Sequence, residues 1–166
     1  MSTQPRTPEQ IRASIAANQT ALATSLTQLR GEVVAIADWR RLRANPGYAF
    51  ADYARFLAAN PGWPGQSALR KTAEKALRSG ESPLLVLQFF RSDEPTSGNG
   101  WARLAEAYLA TGKPTEGLAA ARNAWKSSDL DSNDEGILLG RLGTNFTPTD
   151  YDRRIDALLF GKKAAE

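Results

Sequence analysis

The stretch DWRRLRANPGYAFADYARFLAANPGWPG, residues 38–65, decides the fold. It contains the tripeptide Asn-Pro-Gly twice, at residues 45–47 and 60–62, and each copy is followed by an aromatic residue, Tyr48 or Trp63. Proline cannot continue a helix, the residue before it is forced out of the α region, and glycine accepts the turn that follows. The two breaks are fifteen residues apart, which leaves room for about three helical turns and a tight connection. The stretch therefore predicts successive short helices with Tyr48 and Trp63 at equivalent corners.

The same signals divide the rest of the chain into about nine helices and leave no convincing strand. Thr7-Pro8 and Thr147-Pro148 each place a capping threonine before a proline, which is a typical helix start. The pattern predicts helices over residues 8–29, 32–44, 49–59, 66–79, 84–91, 101–111, 114–127, 133–142 and 148–161. The third has its apolar residues, Phe50, Tyr53, Ala54 and Leu57, at the spacing of one helix face. The fifth is apolar nearly all round and is predicted to be buried, whereas 92–100 is predicted to be the longest and most mobile loop.

Repeated helix pairs without strands predict an all-α fold in which helical hairpins stack into a superhelix resembling a tetratricopeptide (TPR) solenoid. Residues 1–6 are expected to form a flexible tail, and 7–166 a single helical domain. The opening of a TPR-type repeat is matched by Trp101, Leu104, Ala105 and Tyr108. The partner helix keeps Ala120 and Ala124 but lacks the large apolar residue of that repeat. Generic hairpin packing explains the match equally well.

Composition excludes several classes of chemistry and partner. The 166 residues include no histidine and no cysteine, which removes the usual general base, thiol nucleophiles and most zinc sites. The net charge is +3, and the basic residues are too dispersed along the chain to form a nucleic-acid-binding surface. Residues 13–29 carry no charge, but their many Ser, Thr, Asn and Gln side chains argue against a membrane span. We therefore expect no cofactor, no nucleic-acid partner and no transmembrane segment, and a first helix that packs lengthwise against others.

Three polar groups are weighed as sites, and each has a structural explanation. Glu81-Ser82 has the residue pair of some cell-wall-cleaving enzymes, but it lies at a polar helix junction, where Glu81 is expected to cap a helix. An acidic cluster comprises Asp129, Asp131, Asp134 and Glu135. It lacks the spacing of a calcium loop, and Asp131 or Ser132 is expected to be an N-cap. Charges of alternating sign at Asp150, Asp152, Arg153, Arg154 and Asp156 predict a solvated helix face. No catalytic or metal-binding residue is assigned, and the substrate-binding residues stay unknown.

Three phrases together give the chain a family resemblance. They are WRRLR at residues 39–43, FADYARFLAANPGWPG at 50–65 and FTPTDYDRRIDALLF at 146–160. The chain resembles, over roughly residues 35–161, the N-terminal superhelical domain of soluble lytic murein transglycosylases of the alphaproteobacterial type. The resemblance implies a periplasmic protein that acts on peptidoglycan. Members of the family cleave the MurNAc–GlcNAc bond and leave a 1,6-anhydro product. The catalytic residue is one Glu of a C-terminal lysozyme-like domain.

That catalytic domain has no counterpart in this chain. No apolar helix ends in Glu-Ser, and the later Gly-Leu-Met-Gln and Ala-Tyr-Asn-Ala-Gly motifs of the family are absent. The resemblance thus implies a non-catalytic part of such an enzyme, which reaches peptidoglycan through the full-length protein and contacts the missing domain. The alternatives are a stand-alone TPR-like scaffold for protein binding, or an enzyme with its own carboxylate site, which lacks a convincing carboxylate pair.

The predicted last helix carries more apolar residues than one inward stripe requires. We expect Ile155, Leu158 and Leu159 to face the preceding helix, and Phe160 and Tyr151 to form a partly exposed patch. Such a patch predicts weak self-association through residues 148–161.

Overall fold

The structure, a computed structural model, describes residues 6–161, and these residues form helices and connections without a strand. The α-helices are α1 (Pro8–Ala44), α2 (Phe50–Ala59), α3 (Gln66–Ala76), α4 (Pro83–Phe89), α5 (Gly98–Ala110), α6 (Pro114–Trp125), α7 (Ser132–Leu142) and α8 (Pro148–Phe160). A 3-10 turn, Gly143–Asn145, follows α7. Helix accounts for 75% of the structure, well above the usual ~30–35%. The all-α prediction is confirmed.

Several predicted boundaries need correction. The first two predicted helices are one, because α1 continues through Gly31, where a helical glycine costs only about 1 kcal/mol; this reduces nine helices to eight among the described residues. Helix α3 ends at Ala76 rather than at residue 79, and Gly80, with φ +86°, lies in the following turn. Helix α5 begins at Gly98, because the Ser97 side chain accepts a hydrogen bond from the Gly100 amide.

The chain divides into two compact units, Met1–Ala44 and Asn45–Glu166. The predicted tail lies outside the described residues except for Arg6, and the single domain over 7–166 stays a prediction. Helix α1 makes up nearly all of the described part of the first unit, and it begins with a capping box between Thr7, the predicted capping residue, and Gln10. Leu42 is its one buried residue, and the five apolar side chains expected to pack against other helices, from Ile11 to Leu29, are 47–62% exposed. None of the described helices combines the length and apolar character needed to cross a bilayer.

The core of the second unit begins with the predicted apolar face of α2. Phe50, Tyr53 and Leu57 are buried, and the Phe50 ring meets Phe89 of α4 edge-on, with 5.1 Å between centroids. At the second Asn-Pro-Gly break, Trp63 packs edge-on against Phe56 at 5.6 Å. Thus the two breaks bound α2 as predicted.

Helix α4 joins this core to the next helix pair. It packs against both α2 and α5 and buries Val86 and Phe89. Leu84, however, is 73% exposed, so the helix that was predicted to be buried is buried on only part of its surface. A seven-residue helix lying in a groove between two neighbours covers only the faces that meet them.

Helices α5 and α6 pack against each other as a hairpin. Gly112, with φ +74°, makes the turn between them. A side chain at Gly117 would collide with Leu109 at 2.9 Å, so this glycine permits the close approach of the helices. Ala120 and Ala124 of α6 are buried. The TPR-like positions therefore lie in a tightly packed antiparallel pair.

Replacing Leu57 by alanine tests the α2 core. Leu57 is 5% exposed, so Leu57→Ala is expected to lower the free energy of unfolding by about 2–5 kcal/mol through lost burial and a residual cavity. Urea denaturation measures the change. Arg55→Ala, at an exposed position of the same helix, is the control and should change stability by less than about 0.5 kcal/mol. Equal, small effects of both variants would contradict the assignment of this face to the core.

Candidate functional site

One polar concavity of the second unit is a cleft of about 290 Å³. It lies between the turn after α3, the start of α4, and helices α5 and α7. Its charged lining consists of Arg78, Glu81, Arg103, Glu106 and Arg141. We call it the charged cleft.

Glu106 is the centre of the ionic contacts in the charged cleft. Its Oε2 accepts a hydrogen bond from Arg103 Nη1 at 2.7 Å, and its Oε1 accepts one from Ser79 Oγ at 3.1 Å. Arg141 Nη1 lies 3.8 Å from Oε1, and the second Arg103 amino group pairs with Asp134 of α7. These pairs connect the α3–α4 turn, α5 and α7. The Glu106 carboxylate therefore serves to hold three elements together.

Asp134 is the most deeply placed acid of this network. Burial raises the pKa of the Asp134 carboxyl above its ordinary value, and the guanidinium of Arg103 offsets only part of that rise. The Arg103–Asp134 pair, both partners of which are buried, fixes the orientation of α7 against α5. The two amino groups of Arg103 are both engaged, one by Glu106 and one by Asp134, so the pair acts within the fold.

Glu81, the acid weighed as a catalytic candidate, lines the charged cleft and is half-buried. Its carboxylate makes no hydrogen bond or ion pair within the described residues, and Ser82, the N-cap of α4, has no side-chain capping bond either. The expected capping role of Glu81 is therefore wrong. A general acid near neutral pH needs an apolar surrounding, and the lining here is rich in charge. The prediction that no residue of this chain is catalytic stays a prediction.

A buried carboxylate that sequence reasoning missed organises the start of α5. Glu74 of α3 is 7% exposed. Its Oε1 accepts from the amides of Thr96 and Ser97, at 2.9 and 2.7 Å, and from Ser97 Oγ at 2.6 Å. Thr96 Oγ1 donates to Oε2 at 2.9 Å. Four hydrogen bonds thus connect α3 to the end of the loop at residues 92–100, which was predicted to be the most mobile segment.

A sequence signal for Glu74 exists, although it is faint. Glu74 directly follows the buried Ala73 and stands three residues before the buried Leu77, so it falls on the edge of an apolar helix face. The hydroxyl residues Thr96 and Ser97 come twenty-two and twenty-three residues later. Only the fold brings these groups together.

The acidic cluster does not converge on one point. Asp131 caps α7 by accepting from the Asp134 amide at 2.8 Å, as predicted. Asp129 accepts from the Gly98 amide at 2.8 Å, and Glu135 pairs with Arg154 at 2.6 Å. Among residues 6–161 no group of three or more such side chains has the geometry to hold a metal ion. Each acid instead satisfies a different backbone or cationic partner.

Helix α8 packs with two of its charged residues, Asp150 and Arg154, turned inward. Thr147 and Asp150 form a capping box, and Asp150 also accepts from Arg122 at 3.1 Å. The hydrogen bond from the Thr147 amide, helped by Arg122, lowers the pKa of Asp150 despite its burial. Arg154, 4% exposed, donates to the Ser127 carbonyl at 2.7 Å and pairs with Glu135. The predicted solvated face is therefore wrong for Asp150 and Arg154, though Asp152, Arg153 and Asp156 are exposed.

The apolar side of α8 is correspondingly open. Its exposed residues are Tyr151, Ile155, Leu158, Leu159 and Phe160, at 40–62% exposure. We call them the α8 patch. The expectation of an exposed Phe160 is confirmed, but Ile155, Leu158 and Leu159 do not face the preceding helix. The inward surface of α8 is occupied instead by the polar contacts of Asp150 and Arg154.

Comparison of the chain with protein-family models, with curated proteins and with solved structures finds no match.

Proposed function

We propose that this chain is the non-catalytic superhelical part of a periplasmic lytic transglycosylase that acts on peptidoglycan. The observation that carries the proposal is the phrase at residues 50–65, whose apolar and Pro-Gly positions resemble those of the family. In this chain the phrase forms α2 and the corner after it, with Trp63 packed on Phe56. The residues of this phrase thus act together in one helix and the corner that follows it.

Two further features support a helical superhelix in a larger enzyme. Helices α5 and α6 form a close hairpin with small residues at its centre, the building unit of such superhelices. The α8 patch offers an apolar surface that a further helical hairpin of a longer chain would cover. In this proposal the cleavage of MurNAc–GlcNAc bonds belongs to a C-terminal catalytic domain, and this chain shapes the enzyme around it.

A direct test compares the chain with and without a catalytic domain. Purified protein is incubated with murein sacculi, and soluble products are separated to detect 1,6-anhydro muropeptides. The chain alone should release none, whereas the product of the gene read beyond Glu166 should release them through a lysozyme-like domain. Anhydro products from the chain alone that disappear in Glu81→Gln would overturn its non-catalytic role. A gene that stops at Glu166 would overturn the enzyme assignment.

The second candidate function is a stand-alone TPR-like scaffold for protein binding. It is favoured by Trp101, Leu104, Ala105 and Tyr108, which occupy the opening positions of a TPR-type repeat in α5. A stop after Glu166, together with retention of a specific protein on the immobilised chain, would support it. Sequencing the gene beyond Glu166 therefore distinguishes the two candidate functions.

A further inference from the structure

Helix α1 carries a row of large apolar side chains that the described structure leaves open. Its members are Ile11, Ile15, Leu22, Leu26, Leu29, Val33 and Ile36, each between 42% and 65% exposed. We call them the α1 stripe. At about 100° per residue, all seven fall within roughly 80° of one another around the helix axis. The stripe is therefore straight and narrow, and it runs about 38 Å along the helix.

The spacing of the α1 stripe suits another long helix. Ile15, Leu22, Leu29 and Ile36 follow one another at intervals of seven residues, the repeat by which one helix packs along a second. A globular partner would contact such a row over only one or two turns. A long straight row of branched apolar side chains is covered most completely by an equally long helix.

The charges around the α1 stripe argue against a lipid surface and permit a second copy. Helices that lie on anionic membranes carry Lys and Arg along their polar face. Residues 13–29 of α1 have no charged side chain at all. Two copies of this segment can therefore approach each other without repulsion between like charges.

We propose that the α1 stripe is a dimerisation surface, on which α1 of a second copy of this chain packs in parallel. Asn18 supplies the direction, because it lies on the stripe between Ile15 and Leu22. In a parallel pair the two Asn18 amides meet and can hydrogen-bond, as polar residues at such positions do when they fix register. In an antiparallel pair centred on Leu22, Asn18 would oppose Leu26 and lose its polar partner.

The size of the α1 stripe sets the strength of this contact. A strip about 38 Å long and about 10–12 Å wide covers roughly 400 Å² on each helix, or roughly 800 Å² for the pair. This is below the ~1,200–2,000 Å² of stable interfaces and belongs with weak, transient ones. The dimer should therefore appear only as the protein concentration rises.

Single cysteines test both the surface and its direction, since the chain has no cysteine of its own. In air-oxidised protein at about 100 µM, Ile15→Cys should form a disulfide-linked dimer, because the two positions adjoin in a parallel pair. Thr20→Cys, on the opposite side of α1, is the control and should stay monomeric. No cross-link, or equal cross-linking of both variants, would overturn the dimer. Preferential cross-linking of Ile15→Cys to Leu29→Cys in a mixture would overturn the parallel arrangement.

Sedimentation velocity separates this surface from the α8 patch. Measured in Phe160→Asp protein, the paired change Leu22→Asp and Leu29→Asp should raise the dimer dissociation constant about 100-fold. The matched pair Thr20→Asp and Thr27→Asp, on the opposite side, should leave it within about threefold. Phe160→Asp protein that is already strictly monomeric would overturn the proposal, as would equal effects of the two pairs. None of these outcomes depends on peptidoglycan cleavage, so the test is independent of the proposed function.

Discussion

Glu74→Ala is expected to lower the free energy of unfolding by about 2–5 kcal/mol. The change removes the acceptor of four hydrogen bonds at once and leaves the amides of Thr96 and Ser97 without their partner. These bonds are part-buried and end on a carboxylate, and a hydrogen bond to a charged group contributes about 1.5–3 kcal/mol. Ser97 also caps α5 through its hydroxyl oxygen, so the loss should reach the first turn of that helix. Denaturation by urea gives the free energy, and hydrogen exchange of the Thr96 and Ser97 amides locates the change.

A second substitution, at Gly100, tests whether the loss of stability comes from the contacts of the Glu74 carboxylate. A methyl group at Gly100 would lie 2.3 Å from Glu74 Oε1, so Gly100→Ala should displace the carboxylate and destabilise the native protein. In Glu74→Ala protein the obstructing atom is gone, and Gly100→Ala should cost little. The two changes are thus expected to couple by more than about 1 kcal/mol in a double-mutant cycle. Additive effects, or a loss from the exposed Glu94→Ala as large as that from Glu74→Ala, would contradict this structural role.

What the sequence could predict is where several of the helices begin and end. Pro, Gly and capping residues act within a few positions of themselves, which is why the breaks at residues 45–47 and 60–62 and the helix start at Thr147-Pro148 were predictable. The α2 core was predictable for a similar reason, because Phe50, Tyr53 and Leu57 are spaced by one helix period. Local chemistry therefore determined the boundaries and one face of the core.

What the sequence could not predict is which side of a helix is buried against segments that are distant in the sequence. Helix α8 has one apolar side, and periodicity alone favours the burial of that side. The partners that bury Arg154, however, come from Ser127 and Glu135, twenty-seven and nineteen residues earlier. Glu74 was overlooked for the same reason. When buried polar contacts join residues from separate segments, no single segment shows a periodic pattern that predicts them.

Arg154→Met is expected to lower the free energy of unfolding by about 2–4 kcal/mol. Methionine keeps much of the volume of arginine, but it cannot donate to the Ser127 carbonyl at 2.7 Å or pair with Glu135 at 2.6 Å. It also removes the cation over the Trp125 ring, where the Arg154 guanidinium lies 5.6 Å from the centroid. Removing one partner of a buried ion pair typically costs about 3–5 kcal/mol. The figure is lower here because Glu135 is partly exposed.

Two comparisons on α8 decide between the structure and the apolar-inward interpretation. Arg153→Met changes the same residue type one position earlier on an exposed site and should alter stability by less than about 0.5 kcal/mol. Ile155→Asp replaces a side chain that is 53% exposed and should likewise be tolerated in the monomer. If α8 instead packed by its apolar stripe, Ile155→Asp would be the destabilising change, and Arg154→Met would be neutral. Urea denaturation of the three variants at low protein concentration therefore establishes which side of α8 faces the core, and whether the α8 patch is free to meet another helix.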